Sequence, residues 1–368
     1  MRALQKRTLL ILGLAAVIAV GAALMSLREA PPGENTLATG LLLPSLATRI
    51  NDVALIRIKS DEGEFSLRRQ ADGKSWVVPE KAGYPAQFKK IKALVVSLAQ
   101  TCKVEPKTRR PERYARLGVD DAKGLLLTFE DAAGKTIAAL VVGKRKYARG
   151  GIGEGWRYVR LAGDPQAWQV SGLGAVEPEV KRWLVSEILT VNRDRVRQVS
   201  LVHPDGKTVR LSRQTPEQLN FVLAGIPKGR ALSSLSAPNV LGGALASLSF
   251  EDVVPVGKID FSKAVTATFE TFDGLTVSAD VVKKGDDYWA WFSARYVAPP
   301  PPSKGEKARV FPHAPKDGAA EARKITARVG GWAYKLARYK GEDLTRTLES
   351  FLQPVQTKSN NQKKDRKK

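Results

Sequence analysis

The sequence predicts an α+β fold with two tandem repeats of antiparallel β-sheet plus helix, preceded by one N-terminal transmembrane helix. Short apolar runs separated by turn residues predict strands, and a longer run with a 3.6-residue period predicts a helix after them. The second half of the chain then repeats this order of elements. Apolar residues make up 43% of the 368 residues, which is typical of a folded chain long enough for two domains.

An uncharged N-terminal segment predicts the transmembrane helix. Thr8–Leu27 contains twenty residues without a charge, which is enough for a helix to cross the hydrocarbon core of a bilayer. Three basic residues lie before it in residues 1–7, so the positive-inside rule places the N-terminus in the cytoplasm and the body of the chain outside it. The alternative is a signal peptide cleaved near the small-x-small triplet Ala19–Gly21, which would leave a soluble extracytoplasmic protein.

The first repeat is predicted over residues 50–190, after a linker over residues 28–49. A helix is expected to begin near Pro85 with Ile91 and Leu98 on its buried face, and a second helix is expected over Glu177–Leu189. The strands of this repeat are predicted at residues 53–58, 65–69, 76–78, 125–129, 136–142, 158–161 and 168–170.

The second repeat is predicted over residues 195–354. Leu241, Leu245 and Leu248 mark one expected helix face, and a further helix is expected over Gly341–Leu352. Residues 298–324 read as a Pro-rich insertion, and residues 355–368 read as a basic, disordered tail. The strands of this repeat are predicted at residues 196–202, 208–211, 219–222, 265–269, 276–282 and 332–336.

A direct alignment of the two halves supports the repeat. Residues 128–144 and 268–284 align without a gap at a constant offset of 140, and nine of these seventeen positions are identical. Chance gives about one identity over this length, because average residue frequencies are a few per cent each. Strand and turn preferences explain a shared Thr, Val or Gly, but not the shared Glu130 and Glu270. We therefore interpret the two halves as an internal duplication.

The charge of the chain points to an anionic partner. The formal net charge is +23, which favours attraction to nucleic acid, to anionic lipid head groups or to acidic polymers. The predicted topology places the basic body outside the cytoplasm, so nucleic acid is not the expected partner. The plain alternative is a generally basic surface without a specific ligand.

The sequence offers no pattern typical of a catalytic, metal or cofactor site. The two histidines, His203 and His313, both fall in predicted loops. Cys102 is the single cysteine, so no intrachain disulfide can form, and we expect it to be a small buried residue. Paired carboxylates fall in predicted turns, where Asp commonly caps the backbone. We predict a protein that is not an enzyme, with an envelope hydrolase as the least favoured reading.

The first candidate site is a cationic patch beside a glycine-rich loop. Lys144, Arg145, Lys146 and Arg149 lie close together in the chain, and Trp156 follows the loop. Cations beside an aromatic ring can bind an anionic ligand or a partner. The alternative is a solvated loop without a ligand.

The second candidate site is an aromatic strand. Trp289 and Trp291 alternate with Tyr288, Ala290 and Phe292, so one set faces the core and the other faces outward. Trp is favoured at interfaces, and the outward pair could therefore contact a partner or a sugar polymer.

Three motifs together resemble the bacterial domain of unknown function 4340 family over most of residues 50–354. They are Trp76-Val-Val78 after a hairpin, Tyr114-Ala-Arg-Leu-Gly118 before a strand, and Val141-Val-Gly143-Lys144 before a Tyr-Val strand. The resemblance implies a single-pass protein of the bacterial inner membrane, with its N-terminus in the cytoplasm and its body in the periplasm.

The same resemblance implies a function and a class of partner. Members look like companions of ABC-type transport systems of the gliding-motility kind. A non-enzymatic accessory role is therefore expected, with inner-membrane ABC transporter subunits as partners. The alternative is a stand-alone binding module for anionic polysaccharide or lipid. No catalytic residues are established for the family, so none is carried over.

Overall fold

The computed structural model describes residues 40–147, 155–299, 311 and 313–354. These residues divide into two compact units. Unit 1 takes the described residues up to Arg68 together with Phe88–Pro178, and unit 2 takes Arg69–Gln87 together with the described residues from Glu179 onward. Helices and strands are mixed in both units, so the predicted α+β class is confirmed.

Several predicted segments lie outside the described residues. They include the transmembrane segment Thr8–Leu27, the cation Arg149 and the basic tail 355–368. Within the described residues, no helix combines the length and the apolar character that a membrane crossing needs.

Unit 1 is built on an antiparallel sheet whose strands follow the order β2-β1-β6-β7-β8-β9-β5. Strands and helices are numbered along the chain. The short helix α3 (Tyr114–Leu117) is followed by its C-cap residue Gly118, whose φ of 72° favours glycine. The strands are β1 (Leu55–Ser60), β2 (Gly63–Arg69), β5 (Cys102–Thr108), β6 (Leu125–Glu130), β7 (Thr136–Lys146), β8 (Trp156–Leu161) and β9 (Ala167–Ser171). The helices are α1 (Pro44–Thr48), α2 (Phe88–Ala99) and α3 (Tyr114–Leu117).

Unit 2 contains a second antiparallel sheet, in the order β13-β12-β11-β16-β17-β18-β19-β15, and a small sheet made of β10 and β14. Its strands are β3 (Trp76–Val78), β4 (Tyr84–Pro85), β10 (Glu187–Leu189), β11 (Val196–Val202), β12 (Thr208–Ser212), β13 (Val222–Leu223), β14 (Leu248–Ser249), β15 (Asp252–Pro255), β16 (Val265–Thr271), β17 (Leu275–Lys284), β18 (Asp287–Tyr296) and β19 (Trp332–Leu336). Its helices are α4 (Asn239–Gly242), α5 (Gly318–Val329) and α6 (Arg338–Leu344).

Helix α5 completes the sheet of unit 2 beside the last residues of β18. The Thr326 hydroxyl accepts a hydrogen bond from the Ala294 amide at 3.1 Å and donates one to the Ala294 carbonyl at 2.9 Å. Asp317 caps the start of the helix by accepting from the Ala320 amide at 2.8 Å. Because β19 pairs only with the first part of β18, α5 satisfies backbone groups that a neighbouring strand would otherwise satisfy.

Most strand predictions are confirmed, and so is the helix after Pro85, which runs over Phe88–Ala99. The helix predicted over Glu177–Leu189 is wrong. Only Val180–Trp183 is helical there, as a 3-10 helix, and Glu187–Leu189 forms β10. The Val185 amide donates to the Pro85 carbonyl and β10 pairs with β14, so long-range strand pairing replaces the local helical pattern.

Two further helix predictions are corrected. The face marked by Leu241 and Leu248 is broken, because α4 ends at Gly242 and Leu248 belongs to β14. A Cβ at Gly242 would lie 2.2 Å from a ring carbon of Phe221, so this position needs glycine, a poor helix former. The helix predicted over Gly341–Leu352 instead begins at Arg338 and ends at Leu344.

Candidate functional site

The family motifs of unit 1 meet in one hydrophobic cluster. Tyr114, Val119, Val141 and Ala167 are buried together, with Leu117 and Tyr158 packed against them. The Tyr114 hydroxyl donates to the Pro165 carbonyl at 2.6 Å. The motifs therefore hold α3 against the sheet.

Gly143 is the point of closest approach in this cluster. A Cβ at Gly143 would lie 2.3 Å from the carbonyl oxygen of Leu117 and 2.7 Å from a methyl carbon of Val119. Only glycine lets the segment after α3 approach β7 this closely. Arg160 closes the same cluster: its Nε donates to the Val119 carbonyl at 3.1 Å, and its guanidinium lies 4.8 Å from the ring centre of Tyr114.

The predicted cationic patch lies on a two-stranded extension of the sheet, which we call the cationic ribbon (Gly143–Tyr147 and Gly155–Arg157). Strand β6 pairs with β7 as far as Val142, and beyond that point β7 pairs with β8 alone. Lys144, Arg145 and Lys146 are all exposed on this ribbon. The structure therefore brings three of the four predicted cations together in unit 1.

Aromatic rings accompany the cations of the ribbon. The Lys146 ammonium lies 6.0 Å from the ring centre of Trp156, and the Arg145 guanidinium carbon lies 5.0 Å from that of Tyr147. Tyr147 is 67% exposed. Both distances allow a cation–π interaction. Arg157, which the sequence did not single out as a site residue, lies directly opposite Arg145.

Arg157 is electrostatically unusual. Burial lowers the pKa of its guanidinium, and the nearby positive charge of Arg145 lowers the pKa further. The charge of Glu177 acts in the opposite direction but is the weakest influence. No cation of the ribbon forms an ion pair with a carboxylate of the described residues.

The predicted aromatic strand is β18 of unit 2. Its side chains alternate as expected, with Tyr288, Ala290 and Phe292 buried and Trp289 and Trp291 half-buried. The Trp291 indole already donates to the Gly330 carbonyl at 2.8 Å. Trp291 is therefore held within its own unit, and a partner surface at Trp289 and Trp291 stays a prediction.

Unit 2 has an exposed apolar edge that was not predicted from the sequence. Strand β13 is the last strand of its sheet, and β12 is its only partner strand within the described residues. Leu219, Val222 and Val240 are 76%, 62% and 45% exposed, and we call these three residues the apolar edge. Asn239 joins their segments: it accepts from the Phe221 amide at 3.0 Å and donates to Asn220 at 2.7 Å.

The histidines and the cysteine do not converge. His203 is 3.1 Å from the Arg346 carbonyl, His313 is 3.7 Å from an Asp194 carboxylate oxygen, and Cys102 is half-buried in β5. The described residues contain no group of three or more His, Cys, Asp or Glu side chains placed to hold a metal ion.

The fold and these surfaces define an α+β protein whose candidate sites are a cationic ribbon, an aromatic strand and an apolar edge. A family model described as "Domain of unknown function (DUF4340)" matches residues 76–281, which is more than half of the chain. The chain therefore belongs to that family. No curated protein and no solved structure matched the chain.

Proposed function

We propose that the protein is a membrane-anchored accessory protein of an ABC-type envelope transport system and acts by binding other proteins rather than as an enzyme. Thr8–Leu27 serves as the inner-membrane anchor, residues 1–7 lie in the cytoplasm and the body lies in the periplasm. The twenty uncharged residues behind a basic terminus support this topology. The link to transport systems comes from the sequence resemblance described above, while the matching family model is itself described only as a domain of unknown function.

The apolar edge is the observation that carries the protein-binding role. Sheet edges in native proteins are usually protected by charges, prolines or bulges, because an open edge can pair with another strand. Here Leu219 and Val222 are largely exposed beside the edge strand β13. Extended segments commonly bind such an edge through main-chain hydrogen bonds, with apolar side chains adding affinity. We propose that an extended periplasmic segment of a transporter subunit binds there.

Co-purification tests this role. The full chain is extracted from its native membrane in mild non-ionic detergent, and proteins that co-purify are identified by mass spectrometry. Val222→Lys is expected to remove the transporter subunits from the eluate, because a desolvated cation cannot be accommodated in an apolar contact. Val202→Lys is the matched control, since Val202 is similarly exposed but lies on the internally paired strand β11. Recovery of no membrane partner in several detergents contradicts the proposal.

We also propose that the two units arose by duplication. The strand orders support it. In unit 1 a hairpin (β1, β2) and a second hairpin (β6, β7) lie side by side, followed by β8, β9 and the earlier strand β5 at the edge. In unit 2 the corresponding order is β12-β11-β16-β17-β18-β19-β15. An experimental structure in which these matched strands fail to superpose would argue against a common origin.

A second candidate function is a stand-alone binding module for anionic polysaccharide or lipid. The cationic ribbon favours it, because several cations and two aromatic rings lie together without an ion-paired carboxylate among the described residues. Binding to an anionic polymer that weakens with added salt, and that is lost when Lys144 and Lys146 are both changed to Gln, would support this function. Binding that neither salt nor the double substitution alters would argue against it.

A further inference from the structure

Two arginines face each other across the cationic ribbon. Val142 of β7 pairs with Val159 of β8, and the next pair is Arg145 with Arg157. Between these two pairs the chain advances by three residues on β7 but by only two residues on β8. The register shift between these pairs inserts one extra residue on β7, which is the geometry of a β-bulge. Like charges directly opposite each other destabilise a strand pair, so this arrangement is costly in the absence of an anion.

Arg157 is half-buried, and one nitrogen of its side chain lacks a hydrogen-bond partner within the described residues. It lies two residues from Val159, which is fully buried, so both side chains are on the same face of β8. The Nε atom of Arg157 is buried and makes no hydrogen bond within the described residues. Buried donors nearly always have a partner, and an unpartnered one requires a physical explanation.

Arg145 is oriented by its neighbours. Its guanidinium carbon lies 5.0 Å from the ring centre of Tyr147, which holds the side chain over the ring face. A Cβ at Gly155 would lie 3.1 Å from the Nε of Arg145, so the side chain passes close to a position where glycine leaves room for it. The ribbon thus presents one half-buried guanidinium, that of Arg157, and one exposed guanidinium, that of Arg145, from adjacent strands.

We propose that Arg145 and Arg157 together bind a phosphoryl group. Two guanidiniums offer up to ten N–H donors and two positive charges, which suits a tetrahedral group with several acceptor oxygens and up to two negative charges. A carboxylate has two oxygens and one charge, and one guanidinium is sufficient to bind it. This site rests on the second candidate function, because both require an anionic ligand, and it specifies that the anion is a phosphoryl group.

Calorimetric titration of the full chain in non-ionic detergent at low salt tests the site. Inorganic phosphate and glycerophosphoglycerol, a soluble phosphodiester head group, are the two probes, and they distinguish a free phosphate from a lipid source. Arg145→Gln and Arg157→Gln are each expected to weaken binding of the preferred probe at least tenfold, because each removes charge-assisted hydrogen bonds. Tighter binding of the phosphodiester indicates a head group, and tighter binding of phosphate indicates a free phosphate or a monoester.

Two further variants separate a built site from general charge attraction. Arg109→Gln is the matched control, since Arg109 is exposed in unit 1 and forms no ion pair with a described carboxylate. It is expected to bind as the unchanged protein does. Arg157→Lys keeps the charge but lacks the planar fork, so it should lose affinity nearly as Arg157→Gln does. In phosphate-free buffer Arg145→Gln should raise the melting temperature, because it relieves the repulsion.

Three outcomes overturn the proposal. The first is an equal loss of probe affinity in Arg109→Gln and Arg145→Gln, and the second is full probe affinity in Arg157→Lys. The third is binding of a carboxylate polymer such as polygalacturonate without binding of either phosphate probe. Co-purification is independent of all three. Phosphate binding without a membrane partner supports this site and contradicts the accessory role. A membrane partner without phosphate binding supports the accessory role and overturns this site.

Discussion

The buried ion cluster of Arg195, Asp273 and Glu321 should make unit 2 sensitive to one missing charge. Arg195 is 3% exposed and donates to both oxygens of Asp273 and, at 2.9 and 2.8 Å, to both oxygens of Glu321. Burial alone lowers the pKa of the Arg195 guanidinium, but its hydrogen bonds to Glu321 and Asp273 outweigh burial and raise the pKa above its ordinary value. Glu321 lies in the first turn of α5, so the cluster fixes that helix to its unit.

Glu321→Gln keeps the shape of the side chain and removes its charge. Removing one partner of a buried ion pair costs about 3–5 kcal/mol, but Asp273 still neutralises Arg195 here, so we expect about 2 kcal/mol. For a unit of this size that loss lowers the melting temperature by roughly 4–8 °C. Differential scanning calorimetry of the full chain measures the shift, and hydrogen exchange of α5 peptides assigns it to unit 2.

The control for this prediction is Glu342→Gln. Glu342 pairs with Arg338 at 2.9 Å on the surface of α6, where solvent screens the charges, so the melting temperature should hardly change. If both variants shift the melting temperature equally, or if hydrogen exchange of α5 is unaltered in Glu321→Gln, the cluster does not anchor the helix.

Two further perturbations test unit 1. Gly143→Ala should destabilise the protein by about 1–3 kcal/mol, since its Cβ would overlap the Leu117 carbonyl; Gly174→Ala, with open space around it, should be close to neutral in the same urea titration. Asp131→Asn should make the folding stability of the protein less sensitive to acid, because hydrogen bonds from Arg49 and the turn backbone lower the pKa of Asp131 below its ordinary 3.8. The stabilisation is present above pH 3.8 and is lost as pH falls through the lower folded-state pKa, so stability curves of variant and unchanged protein should converge in acid. Parallel curves across that range would show that Asp131 contributes nothing to the acid transition.

Strands of the two sheets could be predicted because their sequence pattern is local. In β6, Leu127 and Phe129 are buried while their neighbours are less so, and β16 shows the same alternation with Ala267 and Phe269. The turn residues between consecutive strands then fix the hairpins. The alternation within each strand and the turn residues between strands were therefore sufficient to predict these hairpins.

The remaining elements depend on distant contacts, and local pattern did not predict them. Strand β5 contains Pro106 and only half-buried or exposed side chains, so it lacks the alternation of a half-buried strand and is identified by its pairing with β9. Helix α5 is held by Arg195, which is far from it in sequence. The cationic patch could be predicted because its lysines are neighbours in the chain. Its key partner Arg157 could not, because pairing it with Arg145 requires the register of β7 and β8.

The family motif around Gly143 also determines the geometry of the cationic ribbon. Gly143 lies within the register shift between the Val142 and Arg145 pairs, and its contact with Leu117 fixes β7 at that point. Without the extra residue, Lys144 rather than Arg145 would lie opposite Arg157. A structural glycine therefore has a consequence for binding. Gly143→Ala should weaken phosphate binding as well as stability, whereas a destabilising change in unit 2, such as Glu321→Gln, should leave binding by the folded protein unchanged.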